Sequence, residues 1–142
     1  MHPLRALREK GNNAPEQVAE LLAEDVVFHS PIFVKGIEGK DAVARVFAAS
    51  SSVRSGRYLR EDRLDEHTTF IHWAGAVDGH ELESLEVIID EHGLVKERTV
   101  ALRPFPAIAL FRTAVYPKLK ELLGPEYWSY EDVEWTTELP TS

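Results

Sequence analysis

Two ionisable residues lie on either side of a predicted tight turn near the middle of the chain. Asp78-Gly79 stands between two strand-like runs and is typical of a two-residue hairpin turn, which pairs Val77 with His80. In that register His72 and Glu83 are diagonal neighbours on one face of the hairpin, with Cα atoms about 7–8 Å apart. An imidazole beside a carboxylate is suited to general acid–base chemistry. The sequence therefore indicates a candidate proton-transfer pair.

The same register determines which side chains accompany this pair. Their face collects apolar and small residues, namely Phe70, Ala74, Leu85, Val87, Val95, Thr99 and Ala101. The opposite face is apolar as well and carries Ile71, Trp73, Leu82, Ile88, Val100 and Leu102. Two apolar faces favour a sheet that packs on helices with one side and on a second subunit with the other.

A second predicted turn follows at residues 90–93, where Asp-Glu-His-Gly suits a type I turn closed by a glycine in the left-handed region. It pairs Ile89 with Val95 and so places Glu86 opposite Arg98, on the face that does not carry the candidate pair. Opposite charges that face each other across two strands stabilise the sheet. We therefore interpret Arg98 as a structural residue.

The roles of His72 and Glu83 have two alternatives. In the first, the pair faces the hollow of the fold and moves a proton next to a carbonyl group. In the second, the role is structural: the two side chains satisfy each other, or they lie near a sheet edge in water. A roomy cavity that contains both residues favours chemistry. A location outside a filled interior favours a non-catalytic module.

Two further residues are candidates for the same site. His29 ends a predicted strand and Tyr58 begins another, and either side chain can polarise a carbonyl oxygen. The structural alternatives are a loop cap for His29 and a core aromatic with its oxygen at the rim for Tyr58. The six histidines form no HxH or HExxH pattern, and no glycine-rich nucleotide motif occurs, so we expect neither a metal nor a cofactor.

Composition restricts the class of partner. The 142 residues are 44% apolar, which predicts one globular domain, and 16 basic against 24 acidic residues give a net charge of −8 that disfavours nucleic acid. The lack of cysteine excludes thiolate catalysis and is compatible with a reducing cytoplasm, where we expect the protein. No apolar run reaches 18 residues, so no membrane span is expected.

The candidate residues must be positioned by a helix-rich first half and a strand-rich second half. Helical spacing predicts one helix from Ala14 to Asp25 and another around residues 41–52, with a strand at residues 26–29 between them. Period-two patterns predict four strands, over residues 58–66, 69–77, 81–90 and 94–103. A last helix is expected up to Gly124, interrupted or kinked at Pro117.

We divide the chain into an N-terminal extension at residues 1–13, a domain at residues 14–123, and an acidic aromatic tail at residues 124–142. The tail carries an unusual number of rings for a solvated segment. Either it is disordered, or it docks on this chain or a neighbour through Tyr127, Trp128, Tyr130 and Trp135.

Several short motifs, in this order and spacing, resemble the nuclear transport factor 2-like (NTF2-like) superfamily in its SnoaL-like branch. They are Leu21-Leu22-Ala23-Glu24-Asp25-Val26-Val27-Phe28-His29-Ser30-Pro31, then Gly36 to Gly39 before the second helix, Asp90-Glu91-His92-Gly93-Leu94-Val95, and Arg103-Pro104-Phe105. The resemblance covers about residues 14–123.

The resemblance implies an α+β fold in which a cone-shaped, curved antiparallel sheet packs on N-terminal helices, with an additional C-terminal helix. It also implies a mostly apolar pocket for a small apolar molecule and a homodimer formed through the outer sheet face. Because this fold hosts many activities, two functions stay open. One is a cofactor-independent isomerase, dehydratase or cyclase that uses His72, Glu83, His29 and Tyr58; the other is a non-catalytic ligand-binding or dimeric interaction module.

Overall fold

A computed structural model describes residues 1–11 and 13–129. The helices are α1 (Pro3–Glu9), α2 (Pro15–Ala19), α3 (Lys40–Ser52) and α4 (Phe105–Leu119), followed by a 3-10 turn at Pro125–Tyr127. The strands are β1 (Leu22–His29), β2 (Ile37–Glu38), β3 (Ser55–Arg63), β4 (Thr68–Val77), β5 (His80–Glu91) and β6 (Leu94–Arg103). No helix in this part of the chain is long and apolar enough to span a bilayer.

The six strands form one curved sheet in the order β2-β1-β6-β5-β4-β3. Strands β3 to β6 are a meander of antiparallel neighbours, as predicted. In addition, β1 lies parallel to β6, so the sheet as a whole is mixed, while its predicted meander is antiparallel. The parallel pair follows from the chain path, because α3 and four strands, β2 to β5, separate β1 from β6 and allow a crossover rather than a hairpin.

One side of the sheet packs on the helices and forms the core, and we call it the inner face. Its buried side chains include Ile71, Trp73, Leu82, Ile88 and Val100, while α3 and α4 contribute Val46, Phe47, Phe111 and Val115. The other side, the outer face, stays partly exposed, with Leu85 at 45% and Val87 at 36% of their full accessibility. The prediction that one apolar face packs on helices is therefore confirmed. The packing of the other face on a second subunit stays a prediction.

The Asp78-Gly79 turn has the predicted geometry and fixes the predicted register. Both residues have positive φ, +47° and +75°, and Val77 pairs with His80. The second turn is also closed by a left-handed glycine, Gly93. A bulge between Ile89 and Asp90 nevertheless shifts the β5–β6 register beyond it by two residues from the prediction.

The helices differ from the prediction in length and number. The predicted N-terminal extension forms α1, whose Leu4 is buried, so this segment belongs to the packed core. The helix predicted from Ala14 to Asp25 is only α2, because Leu22 already begins β1. In contrast, α4 continues through Pro117 to Leu119.

The first part of the predicted tail packs on the body. Trp128 is 6% exposed, makes edge-to-face contacts with Phe33 and Tyr116, and donates its indole N–H to the Leu123 carbonyl at 3.1 Å. The prediction that rings of the tail dock is therefore confirmed for Trp128. Tyr130 and Trp135 lie outside the described residues.

Candidate functional site

His72 and Glu83 meet as predicted. The His72 Nε2 to Glu83 Oε2 distance is 3.0 Å, and Arg103 Nη1 donates to the other carboxylate oxygen at 3.3 Å. The His72 and Glu83 side chains are each about a quarter exposed. Sequence reasoning thus gave the contact correctly.

The position of this pair differs from the prediction that it faces the hollow of the cone. It lies on the outer face, because the alternation along β4 turns the buried Ile71 and Trp73 toward the helices and His72 away from them. Because both faces of the sheet are apolar, the sequence did not determine which face packs on the helices. In the structure the larger aromatic and branched residues lie on the inner face. The pair therefore faces away from the interior that the described residues form.

The protonation state of Glu83 also differs from that of a poised base. The hydrogen bond from His72, together with Arg103, lowers the pKa of the Glu83 carboxyl, and the small desolvation opposes this only in part. Glu83 is accordingly an ionised acceptor that already has two partners.

The other two candidates separate. His29 lies on the outer side at the end of β1, 44% exposed, with Nε2 3.5 Å from Glu97 Oε2. Tyr58, in contrast, pairs with Trp73 across β3 and β4 on the inner side, and its hydroxyl accepts a hydrogen bond from Arg8 Nη1 at 3.1 Å. Of the four predicted site residues, Tyr58 alone therefore adjoins the interior.

The interior contains a buried ion pair that the sequence predicted. Arg98 Nη2 and Nε donate to the two Glu86 oxygens at 2.9 and 3.3 Å, with side chains 5% and 3% exposed. The backbone partner of Arg98 is Ile88 rather than Glu86, so the pair is diagonal across β5 and β6. Burial alone raises the pKa of Glu86, but the positive charges around it, with Arg98 foremost, lower it below its ordinary value.

A second arginine enters the interior from α1. Arg8 Nε donates to Ser51 Oγ and Nη1 to the Tyr58 hydroxyl, both at 3.1 Å, and the guanidinium lies 4.4 Å above the Phe47 ring. Arg8 Nη2 is buried and has no hydrogen-bond partner among the described residues. Burial lowers the pKa of Arg8.

A third arginine, Arg54, follows α3 and lies between the sheet and α4. Its guanidinium carbon is 4.8 Å from the Trp73 ring centre and 5.3 Å from that of Phe111. Arg54 Nε is buried and lacks a hydrogen-bond partner within residues 1–11 and 13–129. Burial, followed by repulsion from Arg8 and Arg98, lowers the pKa of Arg54 well below its usual value.

These groups border a cavity of about 240 Å³ between α1, the end of α3 and the start of β3, which we call the arginine cavity. Its lining residues are Arg8, Asn13, Ser51, Arg54, Ser55, Gly56 and Trp73. Asn13 Oδ1 is a third buried polar atom without a partner among the described residues. Native proteins leave few such atoms unpaired, so three at one cavity are notable.

Close packing of the sheet shapes one wall of this cavity. Gly56 and Gly75 face each other across β3 and β4. A Cβ on Gly56 would lie 2.4 Å from both the Ala74 carbonyl oxygen and Trp73 Cζ2. The absence of a side chain at these positions therefore lets the Trp73 indole lie flat against the strands beside Arg54.

Charge is unbalanced around the arginine cavity. In addition to burial, the charge of Arg98 lowers the pKa of both Arg8 and Arg54, and Glu86 is a carboxylate that acts on both in the opposite direction. Such an excess of buried positive charge is costly unless an anion compensates it. No group of three His, Asp or Glu side chains in the described part of the chain is arranged to hold a metal ion.

A larger groove of about 580 Å³ lies elsewhere, along the end of α4. It is lined by Arg112, Thr113, Tyr116, Lys120, Glu121, Leu123, Pro125, Trp128 and Ser129. Tyr116, at 46% exposure, and the solvent-facing Lys120 and Glu121 make it a surface feature. We place the candidate site in the smaller arginine cavity, where unpaired buried groups converge.

Sequence reasoning missed Arg8 and Arg54. Arg8 lies in a segment interpreted as an extension, and Arg54 is a single charge between a helix and a strand. No spacing pattern in the sequence links the two residues, because they lie 46 positions apart.

Neither a protein-family model nor a curated protein sequence matches the chain. Solved structures do. An uncharacterized bacterial protein with a cystatin-like fold from Silicibacter pomeroyi is 28% identical, with a TM-score of 0.75 over 84% of this chain and 86% of that one. A steroid delta-isomerase from Pseudomonas aeruginosa is 21% identical, with a TM-score of 0.73 over 82% and 85% of the two chains.

An NTF2-like protein from Mesorhizobium loti is 15% identical and superimposes with a TM-score of 0.59 over 72% of this chain and 93% of that chain. The chain has the NTF2-like fold. The predicted α+β class and the resemblance on which it depended are therefore confirmed. Within the NTF2-like fold the arginine cavity occupies the space between the inner face and the N-terminal helix.

Proposed function

We propose that this NTF2-like chain is a small-molecule-binding protein and that its ligand occupies the arginine cavity. The observation that supports this proposal is the convergence of three buried, unpaired polar atoms on one space of about 240 Å³. A structural core has no use for such groups, whereas a ligand gives them partners.

The location of His72 and Glu83 favours binding over proton transfer by that pair. Both lie on the outer face, and the hydrogen bonds from His72 and Arg103 lower the pKa of the Glu83 carboxyl. The cavity is also smaller than the usual range for drug-sized ligands, about 300–1,000 Å³. The proposed ligand is therefore compact. The polar lining of the arginine cavity differs from the mostly apolar pocket that the resemblance implies.

Cavity-blocking variants test the proposal. Ser51 borders the cavity, and its neighbour Ser52 is exposed on the same helix. We expect compounds from a library of small metabolites to raise the melting temperature of the wild type and of Ser52→Phe, measured by circular dichroism, but not that of Ser51→Phe. Ser55→Phe enters the same cavity from β3 and serves if Ser51→Phe does not fold. A library without stabilising compounds, or compounds that stabilise both blocked variants, contradicts the proposal.

A second candidate function is that of a cofactor-independent isomerase, dehydratase or cyclase. The Tyr58 hydroxyl favours it, because this group is hydrogen-bonded to Arg8, a residue that lines the cavity, and a hydroxyl so placed suits the polarisation of a carbonyl oxygen. The Pseudomonas aeruginosa neighbour described as a steroid delta-isomerase has the same fold. If a substrate is found, Tyr58→Phe should lower kcat at least tenfold with little change in binding; unchanged kcat excludes this role.

A further inference from the structure

The hydrogen-bonding capacity around the arginine cavity specifies the chemistry of its ligand. Arg8 Nη2 and Arg54 Nε are donors, and each is buried without a partner among the described residues. Asn13 Oδ1, also buried and unpaired there, is an acceptor. The complementary ligand offers an acceptor group to two guanidiniums and a donor group to one amide oxygen.

Charge narrows the acceptor group to an anion. Three guanidiniums share the region with the single carboxylate of Glu86, and that carboxylate is already engaged by two nitrogen atoms of Arg98. Repulsion from Arg8 and Arg98 acts on Arg54 in the absence of a ligand. A neutral ligand leaves this repulsion in place, whereas a carboxylate removes it and forms charge-assisted hydrogen bonds.

Size and shape narrow the ligand further. A cavity of about 240 Å³ accepts a molecule of a few to about a dozen heavy atoms. Trp73 and the guanidinium of Arg54 stack beside it, with 4.8 Å between the guanidinium carbon and the ring centre. These planar walls suit a planar carboxylate better than a tetrahedral phosphate.

We infer that the arginine cavity binds a compact hydroxy acid, its carboxylate held by Arg8 and Arg54 and its hydroxyl donating to Asn13. This inference rests on the proposed function, since it names the ligand class of the same site. It assigns Arg54 a binding role, because its buried Nε, which has no partner among the described residues, costs stability in the ligand-free protein.

The test compares acids with their amides. Lactate, malate and mandelate are titrated into the full chain at low chloride concentration, alongside lactamide, malamide and mandelamide. At least one acid should raise the melting temperature and bind at least tenfold more tightly than its amide by calorimetry. Equal effects of acid and amide, or an equal effect of inorganic phosphate, would overturn the carboxylate assignment.

Arg54→Gln separates a binding role from a structural one. Arg57→Gln is the matched control, because Arg57 lies in β3, three residues after Arg54, and is exposed. We expect Arg54→Gln to weaken acid binding at least tenfold while the ligand-free melting temperature stays equal or rises. A variant that is destabilised yet keeps the acid response overturns the inference. Conversely, neutral compounds that bind the wild type but not Ser51→Phe preserve the proposed function while this inference fails.

Discussion

Glu86 accepts two hydrogen bonds from Arg98 across the inner face of β5 and β6, and both side chains are almost fully buried. The charge of Glu86 also acts on Arg8 and Arg54, whose pKa values it raises against the effect of burial. One carboxylate thus balances part of the charge of three guanidiniums, and its removal affects the whole interior.

The Glu86→Gln variant should therefore be strongly destabilised. Breaking a buried pair from one side leaves an uncompensated charge and typically costs about 3–5 kcal/mol. Urea unfolding provides the measurement. Glu83→Gln is the control, because its ion pair on the outer face is partly exposed and such pairs contribute little. Equal midpoints for the two variants would show that the interior pair is not a major source of stability.

The same carboxylate predicts a pH dependence. The pKa of Glu86 is lowered below its ordinary value of 4.5, so the unfolded state binds this proton more readily than the folded one. The stabilisation is fully present well above pH 4.5 and is lost as the pH falls through the lowered folded-state pKa. The difference in unfolding free energy between wild type and Glu86→Gln should be constant near neutrality and shrink below about pH 4.5. If the difference in unfolding free energy between the two proteins stays the same below pH 4.5, this prediction is wrong.

The contact between Gly56 and Gly75 predicts a backbone-sensitive position. A Cβ on Gly75 would lie 2.0 Å from the Ser55 carbonyl oxygen and 2.6 Å from Trp73 Cη2. Gly75→Ala should lower the free energy of unfolding by about 1–3 kcal/mol through overpacking. The neighbouring Ala74→Ser, whose side chain points to the outer face, is the control. If both variants unfold at the same denaturant concentration, the close approach is not required.

The attachment of α1 predicts a local weak point. His2 Nδ1 accepts the Leu4 N–H at 3.1 Å as the helix N-cap, and His2 Nε2 contacts both Asp90 oxygens at 3.0 and 3.1 Å. His2→Ala should lower the free energy of local opening of α1 by about 1–2 kcal/mol. Hydrogen exchange of the α1 amides measures this, with the exposed Glu9→Ala as control. Since α1 carries Arg8, unchanged exchange would mean that other contacts hold this wall of the cavity.

The outer face predicts the oligomeric state. Leu85 and Val87 stay exposed around His72 and Glu83, so the homodimer expected from the sequence remains a prediction for this surface. Sedimentation should give twice the 16.1 kDa of one chain for the wild type and one chain for the double variant Leu85→Lys, Val87→Lys. Leu64→Lys, at another exposed position, should not change the mass. A monomeric wild type removes the prediction.

Local chemistry made the hairpin predictable. Asp78-Gly79 has few alternatives to a two-residue turn, and this turn fixes the partners of every residue in β4 and β5. The bulge between Ile89 and Asp90 was not predictable in the same way, because the turn residues at 90–93 do not specify it. The ion pair of Glu86 and Arg98 survives that shift because long side chains reach a diagonal neighbour.

The site itself was less accessible from sequence. The alternation of side chains along a strand places His72 and Trp73 on opposite faces of the sheet. Which of the two faces the helices is decided by packing against α3 and α4, which are distant in the chain. Arg8 and Arg54 are 46 positions apart, and only tertiary structure brings them to one cavity. A single arginine in a short helix or between two elements has no spacing signature, so neither residue stood out before the fold was known.

The contact between Trp73 and Arg54 makes the protein its own optical probe. An indole that forms a wall of the cavity and stacks on a guanidinium changes its emission when a neighbouring charge is neutralised. The intrinsic fluorescence of the unlabelled chain, compared with that of Trp73→Phe, can therefore follow occupancy in real time and give association rates without any dye.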